Sequence, residues 1–132
     1  MLNILFEDSS IICVNKPAGI SVVPNAKEGR ENTLAGLIEE YLASKIFVVH
    51  RLDKDTSGAI IFAKNAQSHR NLNMQFDAKQ VEKKYYAIVE GKVAFDYKTI
   101  NIPIAKSKIG AKKVSLASIG YEAITKVRLV KA

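Results

Sequence analysis

The residues best suited to chemistry stand in one run, His50 to Gly58, which reads His-Arg-Leu-Asp-Lys-Asp-Thr-Ser-Gly. Alternating apolar residues before this run and the segment Ala59–Ala63 after it predict two strands, so Asp53 opens a polar turn between buried elements. A carboxylate at such a junction can act as a nucleophile or as a base. The same residue types also favour turns for a purely structural reason, because Asp and Ser side chains hydrogen-bond to turn backbone.

Two further blocks accompany this central run. Asn15–Gly19 reads Asn-Lys-Pro-Ala-Gly upstream, and Lys83–Gly91 reads Lys-Lys-Tyr-Tyr-Ala-Ile-Val-Glu-Gly downstream. In this order the three blocks resemble the signatures of the RluA-type RNA pseudouridine synthases. The resemblance implies that family's reaction, the isomerisation of specific uridines in ribosomal or transfer RNA to pseudouridine.

The resemblance also implies roles for individual residues. Asp53 falls on the family's catalytic aspartate, which would act at C1′ of the ribose, as nucleophile or as base, while the glycosidic bond breaks. Tyr85 falls on the tyrosine expected to pack against the target uracil, and Arg51 on the arginine that fills the gap left by the flipped nucleotide. His50 and Lys83, in the same blocks, are expected to contact the RNA. The reaction needs no cofactor.

Members of this family continue into a further strand with a Gly-Arg-x-His-Gln-type block, which supplies a basic partner for the aspartate. That block has no counterpart in the 132 residues. We therefore expect a single but C-terminally incomplete catalytic domain over residues 1–132, with weak RNA binding and little isomerase activity of its own. An unpaired sheet edge at Tyr121–Val130 is expected to favour a homodimer.

Composition limits the class of protein. Lysine and arginine number 20 against 13 aspartate and glutamate, a net charge of +7 that favours a polyanionic partner such as RNA. No apolar run is long enough to span a membrane, and the two histidines and one cysteine form no recognisable metal-binding pattern. The single cysteine, Cys13, is expected to be a buried core thiol in a cytoplasmic protein.

The remaining patterns predict the elements that position these residues. Asn32 or Thr33 caps a first helix, and Asn65 caps a second helix that runs to about Asp77. The predicted strands are 3–7, 11–15, 47–52, 59–63, 81–89, 99–104 and 121–130, and a basic loop spans 106–113. Strands joined by hairpin-like turns with two interspersed helices predict an α+β fold with a mixed, largely antiparallel sheet of the pseudouridine synthase type.

Two other functions are open at this level. A basic chain that lacks the family's final block could be a non-catalytic RNA-binding module. Asp53 and Asp55 could also form the carboxylate pair of a glycoside hydrolase, because residues two apart on a tight turn can approach the ~5 Å separation of retaining enzymes. The chain has few aromatic residues to bind a sugar, which speaks against the hydrolase.

Overall fold

The chain begins with a β-hairpin whose turn is built by one aspartate. In the computed structural model, which describes residues 2–25, 29–106, 114–116 and 120–130, β1 (Ile4–Glu7) pairs antiparallel with β2 (Ile11–Lys16). The Asp8 carboxylate accepts the backbone N–H groups of Ser10 at 2.7 Å and Ile11 at 2.8 Å, which closes the turn. The predicted hairpin is confirmed.

The first compact unit, residues 1–84, is organised around a four-stranded antiparallel sheet. Strands β3 (Phe47–Val48) and β4 (Gly58–Ala63) complete the order β1-β2-β4-β3. Core residues two apart on β2 and on β4 join those of the first helix and the connecting loops in one core, comprising Ile12, Val14, Val22, Leu34, Ala35, Ile38, Ile46, Leu52, Ile60 and Phe62. Burial of this apolar surface is the main stabilisation of the unit.

Helix α1 (Leu34–Leu42) starts at the predicted cap, since the Thr33 hydroxyl accepts the N–H of Gly36 at 3.2 Å. The spacing of its apolar residues predicts one broad stripe of Leu34, Leu37, Ile38, Tyr41 and Leu42, but the buried side is narrower. Leu34 and Ile38 are buried, as is Ala35, whereas Leu37 and Tyr41 are exposed. The buried face therefore turns by one position towards Ala35.

Helix α2 (Ala66–Asp77) also starts at its predicted cap, with Asn65 Oδ1 accepting the N–H of Ser68 at 2.9 Å. None of its residues is fully buried. Two stacked ring pairs instead join it to the chain that leads into the central motif: Phe47 with His69, at 5.2 Å between centroids, and His50 with Phe76, at 4.8 Å.

The predicted strand 47–52 is much shorter in the structure. Only Phe47 and Val48 pair with β4, and the chain then leaves the sheet. Beyond Val48 the backbone N–H of Ile61 donates to Nε2 of His50 at 3.3 Å. If β3 were longer, one of its backbone carbonyls would accept this N–H. The His50 imidazole accepts it instead, and the pairing of β3 with β4 ends there.

The second compact unit, residues 85–132, contains two antiparallel ribbons. Strand β5 (Tyr97–Asn101) pairs with β8 (Ile124–Arg128), and β6 (Ile104–Lys106) pairs with β7 (Val114–Leu116). The predicted strand 99–104 is thus two strands, because Pro103 has no N–H to donate to a ladder. The prediction for 121–130 is confirmed for its central part, and Tyr121 forms only an isolated bridge with Ile104.

The predicted strand 81–89 is absent. The segment has the alternation of a strand, but no described strand pairs with it, and its residues from Glu82 onwards are exposed. Alternation marks residues that can fill one face of a sheet, whereas a ladder also requires a neighbouring strand.

Two other predictions meet different outcomes. Cys13 is a free thiol that is only partly buried, because it lies on the face of β2 opposite to Ile12 and Val14. Its partial burial raises the pKa of the thiol.

Residues 107–113 of the predicted basic loop lie outside the described residues. The fold class itself is confirmed: two α-helices accompany strands whose described pairings are all antiparallel.

Candidate functional site

The segment between β3 and β4, residues 49–57, is called here the aspartate loop, because it carries Asp53 and Asp55. Three contacts fix its backbone. Leu52 is buried in the core, the carbonyl of Asp53 accepts the N–H of Thr56 at 3.1 Å, and the carbonyl of Lys54 accepts the N–H of Gly19 at 2.9 Å. The loop is therefore pinned on both sides of Asp53.

Lys16 supplies a further attachment to the same loop. Its side chain is completely buried, and its Nζ donates to the carbonyls of Lys54 and Pro17, each at 2.8 Å. Burial lowers the pKa of Lys16, and the nearby carboxylates of Asp55 and Asp53 oppose that effect. A buried cation that is held by backbone carbonyls therefore links the end of β2 to the aspartate loop.

The role of Lys16 was not evident from its residue type, since lysine is normally solvated. A usable signal was nevertheless present. Ile12, Val14 and Lys16 share one face of β2, and the first two belong to the core. The residue opposite Lys16 in β4 is Gly58, which has no side chain to compete for the space.

Two glycines allow the backbone to make these connections. Gly19, whose N–H reaches the Lys54 carbonyl, has φ +88°, and Gly58, where the loop re-enters the sheet, has φ +132°. Both values lie where side chains other than glycine are strained. The Lys-Pro-Ala-Gly block and the central motif thus meet in space through backbone geometry that glycine permits.

The side chains of Arg51 and Asp53 point into solvent from this fixed backbone. No described group donates a hydrogen bond to the Asp53 carboxylate, so its oxygens are accessible to a substrate. A charged group on an immobilised backbone is pre-organised for chemistry, because little conformational freedom is lost when a substrate binds.

His50 lies at the base of the aspartate loop, where it is half-buried. Because its Nε2 accepts the Ile61 N–H, the neutral ring carries its proton on Nδ1. Burial lowers the pKa of His50, and the positive charge of Lys83 lowers it further. The ring stacks on Phe76, so His50 joins α2, β4 and the loop that carries Arg51.

The five predicted site residues are therefore partly assembled. His50, Arg51 and Asp53 share one loop, and Lys83 is near enough to His50 to affect its pKa. Tyr85 belongs to the second unit, where its side chain is 60% exposed and can accept a stacked ring. Lys16 is an addition that the structure supplies.

An apolar cavity of about 580 Å³ lies elsewhere in the first unit and contains none of these residues. Its walls include Ile4, Ile20, Leu37 and Tyr41. Apolar walls suit packing better than cleavage of a glycosidic bond, which needs charged groups, so the exposed aspartate loop is the better candidate site.

Among the described residues, no group of three or more His, Cys, Asp or Glu side chains is placed to hold a metal ion. No helix in this part of the chain is long and apolar enough to cross a membrane.

Comparison with known proteins places these features in a family. The family described as RNA pseudouridylate synthase matches residues 10–132. The chain is 40% identical over 134 residues to the uncharacterized RNA pseudouridine synthase YhcT of Bacillus subtilis, covering 98% of this chain and 44% of that protein. It is 34% identical over 140 residues to the ribosomal large subunit pseudouridine synthase D of Zymomonas mobilis, again covering 98% of this chain and 44% of the relative. The chain thus spans less than half the length of these relatives.

The fold is also similar to that of a solved structure. The structure of human RNA pseudouridylate synthase domain containing 1 superposes with a TM-score of 0.80 at 20% identity, over 96% of this chain and 51% of that one. The family match covers both compact units without interruption, and it includes the Lys16 region and the aspartate loop. The chain therefore belongs to the RNA pseudouridylate synthase family.

Proposed function

We propose that the protein isomerises specific uridines of structured RNA to pseudouridine, with Asp53 as the catalytic residue. The observation that carries this proposal is the exposed Asp53 carboxylate on a loop whose backbone is fixed by Leu52, Gly19 and the buried Lys16. Family membership supplies the reaction class.

The chemistry suits a carboxylate. Cleavage of the N1–C1′ bond builds positive charge on the ribose, which an adjacent anion stabilises, either by attack on C1′ or as a base towards the sugar. The freed uracil then turns and rejoins the ribose through C5, and the C5 proton leaves. C5 loses this proton and the freed N1 gains one, so the composition of the nucleotide is unchanged and no cofactor is required.

The RNA must present its uridine outside a helix, because the reacting atoms are inaccessible in a base-paired stack. We assign Tyr85 to stacking on the flipped uracil. We assign Arg51 to filling the gap that the flipped nucleotide leaves in the RNA stack. We assign His50 and Lys83 to further contacts with the RNA. The name of the Zymomonas relative supports ribosomal RNA as the substrate, and transfer RNA is the alternative to be tested. An RNA substrate of either kind also favours a cytoplasmic location.

We further propose that residues 1–132 form part of one catalytic domain, since a single family match crosses both units. Strand β8 pairs only with β5 among the described strands, so its outer edge is open to a second copy of the chain. This supports a homodimer joined through β8.

The decisive experiment compares Asp53→Asn with Asp55→Asn in the whole protein. Both substitutions remove one carboxylate from the same loop at nearly constant size. Tritium release from RNA labelled at C5 of uridine should fall to background for Asp53→Asn and persist for Asp55→Asn, and filter binding should show RNA affinity retained in both.

Turnover that survives in Asp53→Asn contradicts the assignment. If Asp53→Asn instead fails to fold, as judged by circular dichroism, the aspartate serves the turn. If purified wild-type protein binds RNA without releasing tritium from any ribosomal or transfer RNA, the non-catalytic binding module is the better description.

A further inference from the structure

The ribbon formed by β5 and β8 has two different faces. Its register pairs Tyr97 with Arg128, Thr99 with Lys126 and Asn101 with Ile124, and alternation places these six residues on one face. All six are exposed, including Tyr97 at 57% and Ile124 at 53%. We call this the basic face of the ribbon.

The opposite face carries the partly buried pair Ile100 and Val127, together with Lys98 and Thr125. The ribbon therefore partly buries Ile100 and Val127 on one side, whereas every residue of the basic face is exposed. The basic face has no acidic side chain, and neither Lys126 nor Arg128 forms an ion pair with a described residue. Its charge is uncompensated on its own surface.

Spacing and residue type determine which partner fits. Lys126 and Arg128 are two residues apart on one strand, so their stems leave the backbone ~6.8 Å from each other on the same side. Two cations at this separation can contact neighbouring phosphates of one nucleic acid strand. Tyr97 lies directly across from Arg128 and offers an exposed ring on which an unpaired base can stack.

We propose that the basic face of the β5–β8 ribbon binds the sugar-phosphate backbone of the RNA, as a contact surface additional to the aspartate loop. Lys126 and Arg128 contact phosphates, and Tyr97 stacks on a base beside them. The inference rests on the proposed function for the identity of its partner, and it assigns to the second unit a role in holding that RNA. A homodimer through the outer edge of β8 would leave this face open, because edges and faces of a ribbon are distinct surfaces.

The test uses matched single-charge substitutions in the full chain. Lys126→Gln and Arg128→Gln each remove one cation from the basic face, and Lys98→Gln removes one from the opposite face of the same ribbon. Binding to a 12-nucleotide oligouridylate and to an RNA stem-loop is measured by fluorescence anisotropy across a salt series. Each basic-face variant should bind about fivefold more weakly near 0.1 M salt, since one single-strand phosphate contact contributes about 0.7 to the salt slope.

The double variant of Lys126 and Arg128 should reduce that slope by about 1.4, whereas Lys98→Gln should change the affinity less than about twofold. Arg128→Lys keeps the charge and should bind nearly as well as wild type, which separates a charge effect from a folding effect. Equal losses for all three single variants would show a non-specific charge effect and overturn the proposal, as would unchanged binding in the double variant.

Failure of the basic-face proposal can be distinguished from failure of the proposed reaction. Unchanged RNA binding in the double variant, with tritium release still intact in the wild type, contradicts the basic face alone. A face-specific loss of binding in a protein that releases no tritium supports the basic face and contradicts the isomerase assignment.

Discussion

Lys16 has an unusual environment for a lysine, because its charge is buried against two backbone carbonyls rather than against a carboxylate. In Lys16→Met the stem volume is kept, the desolvated charge disappears and the Pro17 carbonyl loses its donor. The two effects on stability oppose each other, so the free energy of unfolding should change by less than about 2 kcal/mol. The aspartate loop loses one attachment, and turnover should fall at least about tenfold, since small displacements of catalytic groups are costly.

A second lysine provides the control for this prediction. Lys64 donates to Glu7 at 2.8 Å and to the Asp8 carbonyl at 2.7 Å, at the far end of the sheet from the aspartate loop. Lys64→Met should affect thermal unfolding but leave tritium release close to that of wild type. Equal effects of the two substitutions on turnover would mean that Lys16 has no particular role in positioning Asp53.

His50 predicts a pH dependence of stability. A protonated ring cannot accept the Ile61 N–H, and burial holds the pKa of His50 below its ordinary value of 6.5. The unfolded chain therefore binds a proton more readily than the folded chain. Stability from this residue is complete above pH 6.5 and is lost as the pH falls from there through the lowered pKa of the folded state.

Urea unfolding at several pH values between about 4.5 and 8 tests this prediction. His50→Gln offers an amide oxygen to Ile61 and does not titrate, so the free energy of unfolding should fall less towards low pH than in wild type. The lowered pKa values of Glu7 and Glu39 also reduce stability towards low pH, but both carboxylates are present in wild type and variant, so the difference between the two pH profiles reports His50. An identical pH profile in the variant would show that His50 is not responsible.

At the scale of elements, helix α1 has a glycine where alanine is normally the better helix former, and an alanine where glycine is normally preferred. The first is Gly36, inside the helix, and the second is Ala43, just after its end. A Cβ on Gly36 would overlap the carbonyl oxygen of Arg30, a backbone atom that cannot move aside cheaply. Ala43, which follows the helix, has φ +48° and ψ +33°, a left-handed conformation that favours glycine.

Gly36→Ala should therefore destabilise the protein by about 1–3 kcal/mol, although alanine is the better helix former. Ala43→Gly should stabilise it by about 1 kcal/mol, because glycine adopts the left-handed region without strain. Thermal denaturation of the two variants beside wild type measures both effects. Opposite signs would indicate that the helix shifts to accommodate each change.

The elements also show what the sequence could and could not predict. The caps at Thr33 and Asn65 were predictable because a cap depends on atoms within three residues. The position of Asp53 in a turn between strands was predictable for the same local reason. The end of β3 was not, because it depends on the His50 ring taking the Ile61 N–H from across the sheet.

Two further differences also have non-local causes. Alternation over 81–89 identifies a segment able to form a strand, but the partner that would complete a ladder is not a property of that segment. Burial of Lys16 depends on the carbonyl of Lys54, which lies 38 residues further along the chain. Candidate catalytic residues could thus be identified from the motif, whereas the group that holds their loop required the structure.

At the scale of the whole molecule, the edge of β8 that no described strand covers predicts self-association. Sedimentation equilibrium should show a concentration-dependent mass that approaches twice the 14.5 kDa of one chain. Thr125→Lys adds a charge to β8, which discourages an edge strand from pairing with a second copy, and it should restore the monomer. Thr99→Lys makes the same change on β5 and should leave the dimer intact. A monomer at all concentrations would exclude pairing through this edge.

The hydrogen bond from the Gly19 amide to the Lys54 carbonyl has a practical consequence. Lys54 belongs to the aspartate loop, whereas Gly19 lies outside it. The amide proton of Gly19 can exchange with deuterium only when the loop separates from the end of β2, whether locally or in global unfolding. Its exchange rate therefore reports how often the Asp53 segment opens, from a position that substitutions at Asp53 or Arg51 leave chemically unchanged. Comparison with core amides in β2 and β4 separates loop opening from unfolding, and an RNA that closes the loop should slow exchange at Gly19 more than at those core positions.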